Sequence, residues 1–480
     1  MKKLGDEFGM KVRNKMMIFI SCCLLLAGCT SPSAQGNKDA NKVLKVMYWD
    51  ESYFFQQYGD LFTMKYPNTE IQVVAMEKLY NQKDENGNPV NYDKAFSNLV
   101  EKEKPDVLLL ASNLFPQYAT EGKLTELGAL IERDHYDLTT YSKGILESIK
   151  EKGEGKLYGL SPGFQSNAIF YNVDLFKKHG IDLPHDGMTW QEILELARRF
   201  PTEGNKDERI YGFALARSSN LNAVGNLGIT MGTSQGINLL NGKTKKVTLD
   251  TESWKNIFKL ATEVASSKAI YDPNLEEHAQ TGNNDYFASQ PFLMGRVAIA
   301  VESNQFLQEL KEVSNNPKKY KNYKPFELGI AAGPVDPVDP TKTNGAYLNE
   351  IFTISAESPN TEVAWDFIKF VNGEDFAKVK AKSLNQGLLA REGISKDYDG
   401  ISLEAFYKLT PKMAPDFGEN LIPTSFYQPF LTVLERETEL LQDNKKSVEE
   451  VLKLVQTEAQ AALDQAFKDE EAKKESTNKK

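Results

Sequence analysis

Three stretches of this sequence set out side chains whose types and spacing could do chemistry. Gly232-Thr233-Ser234-Gln235-Gly236 has the spacing of an elbow that presents a serine nucleophile. Such an elbow needs a strand running into the serine and a helix leaving it. Gly225, Gly228 and Gly232 instead crowd the upstream side like a Gly-rich loop, and Asn241-Gly242 downstream predicts a hairpin. Gly236 also lies one residue too far from Gly242-Lys243-Thr244 for a phosphate-binding loop. From Gln82 to Asp93, Asp84, Asn86, Gly87 and Asp93 sit at offsets that suit calcium, but Gln82 holds the first ligand position and no flanking helix is evident. That stretch reads as a polar loop. His135, His179, His185 and His278 are scattered, with no paired His or Cys spacing, so neither a metal nor another cofactor is expected.

A different chemistry is written near the start. Lys11, Arg13 and Lys15 precede twelve uncharged, mostly apolar residues, Met16 to Ala27. That run is too short for a permanent bilayer helix and has the length of a signal-peptide core. It ends in Leu26-Ala27-Gly28-Cys29, the box that in bacterial lipoproteins marks the cysteine receiving a diacylglyceryl group. Residues 1–28 are therefore expected to be a lipoprotein signal peptide, with Met1 or Met10 as the start and Cys29 as the lipidated residue. Residues 29–41, polar and without periodicity, read as a disordered tether. Two or more acyl chains, at about 0.8 kcal/mol per buried methylene, would hold the chain firmly on the extracytoplasmic face of the cell membrane.

What lies beyond the signal is large and acidic. The whole chain carries −10; its first 28 residues hold five basic and two acidic side chains, which leaves −13 on the rest. An acidic body argues against nucleic acid as a partner. The three cysteines, Cys22, Cys23 and Cys29, all belong to the signal or its end, so no disulfide can form within the body. Stability must come from packing, and about 450 residues suffice for two lobes.

The elements that would position functional groups are legible in places. "KVLKVMYW" (Lys42 to Trp49), "TEIQVVAM" (Thr69 to Met76) and "KPDVLLLAS" (Lys104 to Ser112) read as strands, the first as a buried one, with a helix between the first two that Pro67 stops. Strands alternating with helical stretches predict an α/β sheet covered on both faces, in which ligands sit at the carboxyl ends of the strands. "TWQEILELARRF" predicts a helix with a capping box at Thr189 and Glu192. "SPNTEVAWDFIKFVNG" predicts another, with Ser358 as its cap, Pro359 at the first position and Gly373 past the end. An amphipathic helix is expected from Ser447 to about Ala466, followed by a charged, frayed tail over 469–480.

Together these stretches resemble the extracellular solute-binding proteins, family 1, of bacterial ABC importers, the maltose-binding-protein-like family. The resemblance runs from about Lys42 to Leu463. It rests on "PDVLLLASNLFPQYATEGKLTEL", "GKLYGLSPGFQSNAIFYNVDLFKKHGI", "FLMGRVAIAVES", "NGAYLNEIFTISAESPNTEVAWDFIKFV" and "NQGLLARE", in that order and spacing. It implies a two-lobe α/β fold of the periplasmic-binding-protein type II, with three interlobe crossings near Ser161–Ala168, Gly345–Glu350 and Leu388–Arg391. Lobe 1 would comprise 42–163 and 349–388; lobe 2 would comprise 164–348 and 389–468.

The resemblance further implies a monomeric lipoprotein that captures a sugar or oligosaccharide between its lobes and hands it to membrane permease subunits. Aromatic rings would cover the sugar's apolar faces and planar polar groups would pair with its hydroxyls. Transferred by position, the candidates are Trp49, Asp50, Glu51 and Tyr53 after the first strand, Asn113 after "LLLAS", and Gln165 in the first crossing. Lobe 2 would add Asn220, Asn304, Gln305 and Phe306, with Tyr347 in the second crossing and Tyr427 late in the chain. Trp49 and Phe306 read equally as core residues, and Tyr347 as hinge packing. The alternative from another class is a surface-anchored hydrolase acting on extracellular polymer through Ser234 or a carboxylate pair.

Overall fold

The computed structural model describes residues 42–79, 92–204, 209–214, 221–271, 287–320, 322–348, 350–385, 387–412, 417–418 and 421–478. Cys29, Asn220, His278 and most of the Gln82–Asp93 stretch lie outside the described residues; a helix, Tyr92–Glu103, begins on its last two residues.

Two sheets organise the chain from Lys42 onward. In the first, β1 (Lys42–Tyr48) runs parallel to β2 (Thr69–Ala75), in register from Lys42 opposite Thr69 to Tyr48 opposite Ala75. On its other side β1 is parallel to β3 (Val107–Leu110), whose four apolar residues are all buried. Unbroken apolar runs suit strands covered on both faces. The strand Ile351–Ile354 returns antiparallel along β3, and the short β4 (Gly159–Leu160) closes the order. Between β1 and β2 the helical segment opens at Asp50, whose carboxylate accepts from the Tyr53 amide at 2.7 Å, and widens to a π-turn over Phe55–Gly59. Phe54, Tyr58 and Phe62, four residues apart, all face the core and are fully buried. Pro67 ends it, as expected.

The second sheet is built on β5 (Gly163–Asn172), with Leu328–Ala331 on one side and Val297–Ser303, Tyr211–Ala214 and Ile270–Tyr271 on the other. One face packs on the helices Trp190–Ala197, Ala223–Ser234, Glu252–Ser266, Tyr427–Gln442 and Val448–Asn478, through buried Leu194, Leu227, Trp254, Leu434 and Val455. The capping box at Thr189 and Glu192 is present.

Three local expectations are corrected. The glycines before Ser234 do not form a loop: they lie in the helix Ala223–Ser234, capped by Asn222. A β-carbon on Gly228 would meet the Phe258 ring at 2.7 Å, and one on Gly232 the Trp254 ring at 2.1 Å. Gly228 and Gly232 are the stripe along which this helix lies against Glu252–Ser266, while Gly225 faces Thr438 of the helix Tyr427–Gln442. Ser358 is not the helix cap either, because its hydroxyl donates to Asp106 at 2.6 Å and accepts from the Asn360 amide; the helix starts at Thr361. The terminal helix continues to Asn478, its outer part tied down by the Lys245–Glu471 ion pair and by Lys245 over the Phe467 ring.

Candidate cleft between the two sheets

The chain passes between the sheets at three places. β4 ends at Leu160 in the first sheet and β5 begins at Gly163 in the second. Ala346–Tyr347 pairs with Ser166 and Gln165 of β5, and Ile351 already pairs with Leu110 of β3. After two helices, Thr361–Val371 and Glu374–Lys380, Leu388–Leu389 comes back to pair with Phe164 and Gly163. All three passages meet the N-terminal half of β5.

The first and third are pinned to one point. The Tyr141 hydroxyl donates to the Ser161 carbonyl and accepts from the Ser161 amide, and the Ala390 amide donates to the Pro162 carbonyl at 2.9 Å. Beside them the buried Arg391 donates to the Asn372 and Asp137 carbonyls, to the Thr140 hydroxyl and to the Tyr136 hydroxyl.

Next to these passages lies a cleft of about 400 Å³, within the range of small-molecule sites, roughly 300–1,000 Å³. The first sheet contributes Trp49 and Tyr53 beyond the end of β1, Ala111 beyond β3, and Glu350 just ahead of the returning strand. The second contributes Gly163, Phe164 and Gln165 from β5 and Gln305 past Val297–Ser303; Asn385 comes from the third passage. A side pocket of about 180 Å³ shares Trp49 and Ala111 and is otherwise lined by Met76, Tyr92, Phe96, Leu109, Asn113 and Leu114.

Glu350 is the charged group of this lining. Its Oε1 accepts from the Tyr48 hydroxyl at 2.6 Å and its Oε2 from the Tyr58 hydroxyl. Burial raises its pKa above the usual carboxylate range, while the two tyrosines and, more weakly, Lys380 pull the other way. Burial and the Glu350 charge also raise both tyrosines, which keeps their hydroxyls as donors. Gln165 is 4 % exposed, and its Oε1 has no hydrogen-bond partner. A buried amide oxygen left so costs about 1–3 kcal/mol unless a guest supplies a donor.

Of the twelve positions named from the sequence, Trp49, Tyr53, Gln165 and Gln305 line this cleft and Asn113 lines the side pocket. Asp50 is occupied as a helix cap and Glu51 is exposed in the same first turn. Asn304 is fully buried behind Gln305, accepting from the Ser166 amide at 3.0 Å. Phe306 packs against Phe170 and Phe292 in the core. Tyr347 and Tyr427 are 45 % and 40 % exposed and do not border the cleft. Asn220 lies outside the described residues. Sequence reasoning missed Glu350, Phe164 and Asn385 as lining groups. For Glu350 the available signal was a carboxylate set immediately before the apolar "IFTI", at the end of a crossing.

Ser234 stands at the C-terminal end of its helix with no strand ahead of it. Its hydroxyl accepts from Trp190 Nε1 at 2.5 Å and donates to the Met231 carbonyl. That is not the geometry of a nucleophile elbow. Among the described residues no group of His, Cys, Asp or Glu converges to hold a metal ion, and no helix is long and apolar enough to cross a membrane.

Two sheets joined by three short passages, with a cleft beside them, define a two-lobe binding-protein fold. The profile of the bacterial extracellular solute-binding proteins matches residues 48–378, and the chain belongs to that family. A sugar transporter of Rhizobium etli in an open conformation superposes with a TM-score of 0.61 at 18 % identity, over 87 % of this chain and 99 % of that one. A binding protein of Brucella abortus is 27 % identical over 264 residues, 54 % of this chain and 57 % of that protein. The arabinooligosaccharide-binding protein of Bacillus subtilis is 24 % identical over 195 residues, 38 % of this chain and 40 % of that protein. The match thus spans little more than half the length of these curated relatives, or less.

Proposed function

We propose that this chain is the substrate-binding subunit of an ABC importer, anchored through Cys29 on the extracytoplasmic face, and that its cleft captures a sugar or oligosaccharide for delivery to the permease. The observation that carries the reading is the lining itself. Trp49, Tyr53 and Phe164 offer rings, while Gln165, Gln305 and Asn385 offer amides, one with a buried oxygen awaiting a donor. Rings suit the C–H faces of a sugar and amides its hydroxyls. The relatives named for arabinooligosaccharide binding and sugar transport support the same solute class. Capture would proceed by hinge closure, the motion known for periplasmic binding proteins. In the hydrolase alternative, the engagement of Ser234 with Trp190 and the Met231 carbonyl speaks against the serine form of that reading.

The test is thermal unfolding of the full chain in detergent against a panel of neutral mono- and oligosaccharides. A ligand at a hundred times its Kd stabilises by about 2.7 kcal/mol, which over a body this size raises Tm by about 3 °C. The sugar assignment fails if no saccharide shifts the transition while another solute does. Cys29→Ala is expected to abolish incorporation of labelled fatty acid into the protein; a variant that still takes up the label would refute the anchor.

A further inference from the structure

The cleft's charge points to a selection rule within the sugar reading, on which this inference rests. We propose that Glu350 makes the cleft discriminate by charge, admitting neutral or ammonium-bearing saccharides and rejecting uronates and sugar phosphates. The register of the first sheet puts it there. The strand Ile351–Ile354 runs antiparallel to β3 with Ile351 opposite Leu110, so the residue before it falls beside Ala111, where the parallel strands end. Two buried tyrosines fix the carboxylate from behind, one hydroxyl on each oxygen. An oxygen that accepts one hydrogen bond keeps a second lone-pair direction.

The other committed group in the lining is also an acceptor, the unpartnered Oε1 of Gln165. Among the described lining residues there is no Lys or Arg to balance Glu350. Lys380 acts on it electrostatically but does not border the cleft. A guest must therefore bring donors to these two places. Sugar hydroxyls and ammonium groups do so, whereas a carboxylate or phosphate brings acceptors and a like charge. Two like charges about 5 Å apart at an effective dielectric near 20 repel enough to change affinity about three-hundredfold.

Calorimetry on the full chain with matched probes tests this: galactobiose against digalacturonate, and cellobiose against the glucosamine dimer. The neutral or amino member of a binding pair is expected to bind at least fiftyfold tighter than the uronate. Glu350→Gln keeps the acceptor oxygen, removes the charge and should cut that ratio to about tenfold or less. Should the variant not fold, the wild-type protein at pH 5 to 8 serves instead. The groups facing Glu350 are Tyr48, Tyr53, Tyr58 and Lys380, with Asp50 acting on Tyr48 and Tyr53, and because burial raises the Glu350 pKa, discrimination should strengthen as pH rises through that value. Digalacturonate binding within threefold of galactobiose to the wild type overturns the charge rule and leaves the sugar reading standing. No binding by any saccharide of the panel overturns both.

Discussion

Replacing Arg391 by Met tests whether the passages beside the cleft are held by a buried guanidinium. The side chain is 5 % exposed and donates four hydrogen bonds, at 2.7 Å to Asn372 O, 2.8 Å to Asp137 O, 2.8 Å to Thr140 Oγ1 and 3.1 Å to Tyr136 OH. It also lies over the Tyr136 and Tyr141 rings, with centroid distances of 5.4 and 5.9 Å. Met has similar length and fills the space, so the loss is polar. Each charge-assisted bond contributes about 1.5–3 kcal/mol, but burying the cation without a carboxylate offsets a good part. The buried Asn372 carbonyl left without this donor costs about 1–3 kcal/mol, and the part-buried Asp137 carbonyl less. The balance is a destabilisation of about 3–5 kcal/mol. With about 2.1 cal/mol/K of unfolding entropy per residue over a body of roughly 440 residues, Tm falls by about 4 °C. Arg133→Met is the control, because Arg133 pairs with Glu362 and Asp134 at an exposed site and should change stability by less than about 1 kcal/mol. Urea unfolding of both variants provides the measurement. If Arg391→Met is no more destabilising than Arg133→Met, the guanidinium does not hold these passages.

Gly232→Ala places a methyl group 2.1 Å from the fully buried Trp254 ring, so overpacking of about 1–3 kcal/mol should outweigh the helix-propensity gain of about 1 kcal/mol, and a more stable variant would refute the packing stripe. Burial, helped by the neighbouring Glu309, pushes Glu302 up to about 8. The native state then keeps a proton that the unfolded chain gives up from about pH 4.5. Stability from this group is full below that pH and is lost as pH rises to about 8. Glu302→Gln should flatten that fall in a pH series of urea midpoints; an unchanged slope refutes it.

What the sequence disclosed and what it concealed divide along a physical line. The buried strands, the capping box at Thr189 and the Asn241-Gly242 hairpin are local patterns, and each is present. Gly228 and Gly232 misled because glycine weakens a helix locally, whereas here Phe258 and Trp254 demand its absence of a side chain; Gly225 instead sits against Thr438. Ser358 misled because its hydroxyl had a distant partner, Asp106, that outcompeted the helix end. Trp49 and Gln165 could be placed because a strand end and a crossing are visible in sequence. Glu350 stands at the end of an expected crossing too, but its place in the cleft depends on a strand that returns antiparallel beside β3 after more than 230 intervening residues.

The geometry of β5 couples recognition to motion within the proposed function. Gln165 pairs with Tyr347 of the second passage and Phe164 with Leu388 of the third, while Gly163 follows the first by two residues. The same backbone that presents Phe164 and Gln165 to the cleft is therefore the backbone on which all three passages converge. A guest that satisfies Gln165 Oε1 acts on the segment that must flex, and a substitution in a passage must move the groups that touch the guest. Solute affinity and the equilibrium between open and closed lobes should then vary together among variants at Tyr141, Arg391 and Leu388, none of which borders the cleft. Paired calorimetry and small-angle scattering on these variants would show it. Scattering that changes while affinity stays fixed across all three would separate the two roles and refute the coupling.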